Sequence, residues 1–135
     1  MLAADSNGAL PSEAQIHDLV HGFYAKVRRD EALGPIFNGT IADWEPHLEK
    51  MCAFWSSVMR MSGLYHGNPM AAHLRLKTVQ PEHFQRWLAL FTETAHERFT
   101  AELADAFIAR AETIARSLQL GMFYRPAPRL HEAAG

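Results

Sequence analysis

Cysteine is nearly absent from this 135-residue chain: Cys52 stands alone. A single thiol closes no internal disulfide, so the expected compartment is a reducing cytoplasm. There is no CxxC pair for zinc or thiol redox work. No stretch approaches the roughly 20 apolar residues of a membrane span. The leading Met1-Leu2-Ala3-Ala4-Asp5-Ser6 has no charged region followed by an apolar core, so neither membrane nor secretion is expected. An excess of one charge is missing as well. Thirteen Lys and Arg against fifteen Asp and Glu leave a net charge of −2, which argues against a nucleic-acid partner. Also lacking are a Gly-rich phosphate loop, a GxSxG elbow and an HExxH pair. His47-Leu48-Glu49-Lys50-Met51 has no second histidine for a zinc protease, and Glu-x-x-His is not repeated on two helices as a di-iron site requires. Cys52 is left as a small core or boundary residue.

What is present is an ordinary globular balance, 48% hydrophobic and 21% charged, in a length that suits one domain burying about two thirds of its unfolded surface. Eight histidines, eight phenylalanines, three tryptophans and three tyrosines are many for so short a chain. Rings in that number suit the walls around something flat. Residues 1–11 read as a flexible lead-in. Ser12 is an N-cap with Glu13 in the first turn, and Ile16, Val20, Phe23 and Val27 recur at helical spacing to about Asp30, flanked by Leu19 and Tyr24. His17 and His21 have the spacing of a metal pair but point away from that stripe, toward solvent. Leu33-Gly34-Pro35-Ile36-Phe37-Asn38 reads as a turn leading into a single helical turn, with Phe37 at a chain corner.

Asp43 caps a second long helix over about Trp44 to Ser62. Trp44, Leu48, Met51, Trp55 and Val58 form its stripe, and His47, Met51, Phe54 and Val58 the adjacent edge. His47 therefore lies on or beside the buried side, either bonded to backbone or donating into a cavity. In Tyr65 to Leu76, Gly67 and Pro69 break the chain and leave only a short helical piece before Pro81. It carries His73 between Ala72 and Leu74, a satisfied histidine or a metal ligand. Pro81 restarts a helix with Phe84, Trp87, Leu88, Phe91 and Ala95 inward, to about Phe99. The last helix turns Leu103, Phe107, Ala111, Ile114 and Leu118 inward and stops near Gly121, before a flexible tail over 122–135. No strand alternation, internal repeat or low-complexity tract occurs. The fold class is all-α, with four longer helices and short helical connections.

An ordered series spans about Ile16 to Leu120: Phe23-Tyr24, Val27-Arg28-Arg29-Asp30, Leu33-Gly34-Pro35-Ile36-Phe37, Trp44 with His47, Phe54-Trp55, Tyr65-His66-Gly67-Asn68-Pro69 with His73, and Phe84 with Trp87. In residues and spacing it resembles the bacterial truncated haemoglobins of group III. The resemblance implies a truncated globin fold over 12–121, a two-over-two helical sandwich with a short proximal helix. It implies haem b (iron protoporphyrin IX) as cofactor and His73 as the iron ligand. Tyr24, His47 and Trp87 match the distal residues, and Phe37 the aromatic that packs on the porphyrin. Met51 and Phe54 join His47 and Trp87 along the cofactor. Arg75, Lys50 and Arg60 are candidates to meet the propionates.

The chemistry agrees. Haem iron needs one protein ligand and an open position, and bound oxygen gains negative character that donors in a dry pocket stabilise. Tyr24 offers O–H, Trp87 N–H, and His47 N–H in one tautomer, unless it serves instead as a gate. The function implied is reversible binding of O2 and other diatomic ligands such as CO and NO, for storage, sensing or transport. The alternative is a redox enzyme, with nitric oxide dioxygenation or peroxidase-like chemistry fed by a separate reductase, because the chain carries no flavin or nicotinamide domain. A cofactor-free helical interaction domain is the third reading. The protein is expected to be a cytoplasmic monomer.

Overall fold

A computed structural model describes residues 10–69 and 78–123. Among them are five helices and no strand: α1 (Glu13–Arg29), α2 (Leu33–Thr40), α3 (Trp44–Arg60), α4 (Pro81–Arg98) and α5 (Ala101–Phe123). The expected all-α class holds. α1 packs on α3 and α4 on α5, and the two pairs meet through α1 and α4, two helices over two. No described helix is long and apolar enough to cross a membrane. The stretch expected to hold a short proximal helix falls at 70–77, outside the described residues.

The helix starts follow from local chemistry. Ser12 Oγ accepts from Gln15 N at 3.1 Å while Gln15 Oε1 accepts from Ser12 N at 2.8 Å, a reciprocal capping box. Asp43 Oδ1 accepts from Glu45 N at 3.3 Å to open α3. Pro81 sits in the first turn of α4, where no intrahelical N–H partner is needed. α2 is longer than the single turn expected, with eight residues. Pro35 is its third residue, still within the stretch whose N–H groups have no intrahelical acceptor, so it does not interrupt the helix.

Two ends also differ from expectation. α3 stops at Arg60 rather than Ser62, because Met61 takes a left-handed cap (φ 57°). α5 runs through Gly121 to Phe123, with Met122 8% exposed and the Phe123 ring edge-on to Phe84 at 6.0 Å. Tertiary packing there overrides the usual helix-ending preference of glycine.

Asp30 joins three elements. Its Oδ2 accepts from Ala32 N and Leu33 N at 3.0 Å each, opening α2, and its Oδ1 receives Arg86 Nε and Nη2 of α4 at 2.7 Å. Lys26 reaches Glu93 at 2.6 Å and Glu97 at 2.8 Å, and Arg98 reaches Asp18 at 2.8 Å, so every one of these pairs ties α1 to α4. Gly34 allows α2 to close against the end of α1, since a Cβ there would meet the Arg28 carbonyl oxygen at 2.9 Å.

The interior is two clusters. The larger is built on Phe23, Trp55, Phe91 and Phe107, with Trp55 stacked on Phe91 at 5.1 Å. The smaller holds Val79, Phe84, Ala115, Leu118 and Met122. Between them the helices leave a space.

Candidate functional site

That space is a cavity of about 840 Å³, within the range of ordinary small-molecule sites. Both clusters contribute wall: Tyr24, Leu33 and Trp55 from the larger, and Val79, Phe84, Ala115 and Leu118 from the smaller. α2 adds Ile36 and Phe37, α3 adds His47, Lys50, Met51 and Phe54, and the segment after α3 adds Tyr65, Gly67, Asn68 and Pro69. Its surface is chiefly apolar, with a few polar groups.

Three of those polar groups are Tyr24, His47 and Trp87, from α1, α3 and α4, which meet at this cavity. Tyr24 is only 5% exposed. Burial pushes its phenol far above the ordinary range, and the hydrogen-bonding Trp87 indole offsets this only in part, so Tyr24 stays an O–H donor. Phe23 meets the Trp87 ring edge-on at 5.3 Å and Phe91 stacks on it at 5.4 Å, which fixes the indole. His47 is wedged between two rings, perpendicular to Tyr24 at 5.5 Å and to Trp44 at 5.5 Å. Its Nε2 is buried with no hydrogen-bond partner among the described residues. Burial, and secondarily the Lys50 charge, lower its pKa, so the imidazole is neutral. A buried nitrogen left unpaired costs about 1–3 kcal/mol, a cost that a ligand's polar atom would remove.

Trp44 is itself held in place. Its Nε1 donates to Asn38 Oδ1 at 3.1 Å, and the Arg28 guanidinium lies 4.6 Å over its ring. Phe37 lines the cavity and packs against Tyr24 at 5.9 Å and Trp44 at 6.5 Å. Phe54 meets Tyr65 edge-on at 5.2 Å, and Tyr65 N donates to Ser57 Oγ at 2.9 Å, which anchors the segment after α3 to the wall.

Of the cations expected near the site, Lys50 lines the cavity. Arg60 does not. Its Nε pairs with Glu13 at 3.1 Å and its Nη1 donates to the Pro11 carbonyl at 2.6 Å, so it ties α3 to the start of α1. Arg75 and His73 lie outside the described residues. His17 and His21 stack at 3.9 Å, with His17 exposed and His21 half-buried. No group of three or more metal-ligating side chains occurs among the described residues.

Sequence reasoning missed several wall residues: Ile36, Ile41, Tyr65, His83, and the α5 face of Ile114, Ala115 and Leu118. Inward helical spacing flagged Ile114 and Leu118, but spacing alone does not tell a packed face from one that borders a void.

Residues 8–119 match the family model described as bacterial-like globin. Over 118 residues the chain is 36% identical to the group 3 truncated haemoglobin ctb of Campylobacter jejuni, an alignment covering 84% of this chain and 92% of that protein. The crystal structure of group III truncated haemoglobin from Campylobacter jejuni matches with a TM-score of 0.82 and 33% identity, over 87% of this chain and 95% of that one.

Proposed function

Because this chain belongs to the bacterial-like globins, as a group III truncated haemoglobin, we propose that its cavity holds haem b and reversibly binds O2, CO and NO on the side faced by Tyr24, His47 and Trp87. The globin family implies a haem cofactor, and the residues present suit one. The cavity is large and mostly apolar, and it borders a buried imidazole nitrogen with no partner. That unpaired His47 Nε2, beside a phenol held in its O–H form, is the observation that carries the reading.

When bound, haem supplies an iron with an open position for a diatomic ligand. The rest falls to the chain. Tyr24 donates O–H toward negative charge that develops on the ligand, and the Trp87 N–H, which hydrogen-bonds Tyr24 in this structure, turns to share that charge. His47 donates from Nε2 in the tautomer that protonates it. Phe37, Met51, Phe54, Ile114 and Leu118 exclude water and grip the flat group by contact. Lys50 supplies positive charge for the propionates, with Arg75 as the second proposed cation.

His73 is the proposed iron ligand. Pro69 and Thr78, the described residues nearest His73 on either side in the chain, both line the cavity. The other two cavity histidines are placed for other roles. His47 belongs to the donor face, and His83 Nδ1 accepts from Gln80 N at 2.8 Å. Visible spectra of the ferrous, oxygenated and carbon monoxide forms test the reading. A wild-type protein without a Soret band makes the chain a cofactor-free helical domain. His73→Ala is expected to lose stable haem, and an unchanged Soret band with the same coordination would overturn the axial assignment.

Three donors converging at one cavity also favour a second reading, nitric oxide dioxygenation or peroxidase-like turnover, since polar donors assist O–O chemistry. Turnover with a separate electron donor distinguishes it from reversible binding.

A further inference from the structure

We propose that His83 is a carboxylate-binding residue of the cavity, donating a hydrogen bond from Nε2–H to an acidic side group of the haem; this rests on the haem-binding reading above. His83 lies in the first turn of α4. Gln80 N donates to His83 Nδ1 at 2.8 Å, and His83 N donates back to the Gln80 carbonyl at 2.9 Å. A ring nitrogen that accepts a hydrogen bond presents its lone pair, so in the neutral imidazole the proton is on the other nitrogen. The helix cap therefore sets the tautomer and leaves Nε2–H as a donor. The ring is half-buried and lines the cavity, and no hydrogen bond from Nε2 occurs among the described residues.

Two consequences follow from that tautomer. His83 is a poor iron ligand. Ligation through Nε2 would move the proton to Nδ1, where it would face the Gln80 N–H and break the cap. His83 is instead a fixed donor in a largely apolar wall, and it calls for an acceptor. Iron protoporphyrin IX carries two carboxylates as its strong acceptors. Among the described lining residues Lys50 is the only formal cation, and no Asp or Glu is present to compete. Lys50 serves one carboxylate directly, and His83 donates to the other alongside the proposed Arg75. Its position in the first turn of an 18-residue helix adds the favourable end of the helix dipole.

The test uses purified holoprotein and follows haem transfer to excess apomyoglobin at the Soret band, with native haem and with haem dimethyl ester. His83→Glu keeps a side-chain acceptor for Gln80 N at this capping-box position and reverses the sign toward a carboxylate. His83→Ala removes both donor and cap. With native haem both variants are expected to lose the cofactor about 10- to 100-fold faster than wild type, the range for a hydrogen bond to a charged group. With the ester, His83→Glu is expected to match wild type, because the carboxylates are masked. Equal acceleration of native haem and ester in His83→Glu would make His83 a structural cap only, and wild-type rates with native haem would also overturn the proposal. Wild-type protein that takes up no haem ends both this proposal and the reading it rests on. Wild-type holoprotein with a normal spectrum and either adverse result ends this one alone.

Discussion

Trp44 stands perpendicular to His47, ring centroids 5.5 Å apart, and is itself pinned by Asn38 and by the Arg28 guanidinium. It is thus a brace behind the imidazole, tied to the ends of α1 and α2. Trp44→Leu is expected to release His47 and to speed carbon monoxide entry after photolysis by roughly two- to tenfold, the scale of a lost aromatic pair. His47→Leu in the same experiment separates its two possible roles. A change confined to entry marks a gate, and faster oxygen escape marks a donor.

Tyr24 and Trp87 are expected to control escape. Tyr24→Phe and Trp87→Phe each remove one donor to a charged acceptor, about 1.5–3 kcal/mol, or one to two decades in the oxygen dissociation rate. Stopped-flow rates equal to wild type in both variants would remove them from ligand control. Since burial raises the Tyr24 phenol far above its ordinary pKa of 10.0, the wild-type oxygen dissociation rate is expected to stay flat through mildly alkaline pH.

The haem-free protein is expected to lose stability in acid in two stages. Burial lowers the folded pKa of His47 below its ordinary 6.5, so the unfolded chain takes up the proton first. The contribution of His47 is present above pH 6.5 and is lost as pH falls toward its folded value. Asp30 follows. Arg86, and then the Leu33 and Ala32 N–H groups, hold its carboxyl below the ordinary 3.8, and its side chain is 5% exposed. Its contribution is present above 3.8 and is lost as pH falls through the depressed value. Urea unfolding at several pH values is expected to show the first loss vanish in His47→Leu and the second in Asp30→Asn.

Two glycines are expected to respond differently to alanine. At Gly34 the new Cβ would meet the backbone carbonyl of Arg28, which has no free end to move, and a loss of about 1–3 kcal/mol is expected in urea unfolding. At Gly22 the obstacle is the guanidinium of Arg98, the end of a flexible side chain. Gly22→Ala is expected to displace that group from Asp18 and to change stability by less than Gly34→Ala.

How much of this was legible beforehand depends on how local the cause is. Ser12, Asp43 and Pro81 start helices by chemistry within three residues, and the sequence displays it. The length of α2 was not legible, because Pro35 reads as a breaker unless its place in the first turn is known. The end of α5 was hidden too, since Phe123 is held by Phe84, far away in the chain. Helical phase alone placed Tyr24 beside a stripe and His47 on an edge. It took the family resemblance to set them against Trp87, and the structure brings all three to one cavity. Arg60, one of three cations offered for the propionates, is held instead by Glu13 on another helix, a pairing that helical spacing does not show. His83 was not legible as a wall residue, because its bond to Gln80 depends on where α4 begins.

The division of the interior into two clusters gives the cofactor an architectural role. Residues of each cluster face the cavity between them, so a molecule seated there would act as a keystone, continuous with both. With haem as that molecule, its binding would enter the folding equilibrium of this chain, and cofactor supply would set how much of the protein survives in its native form.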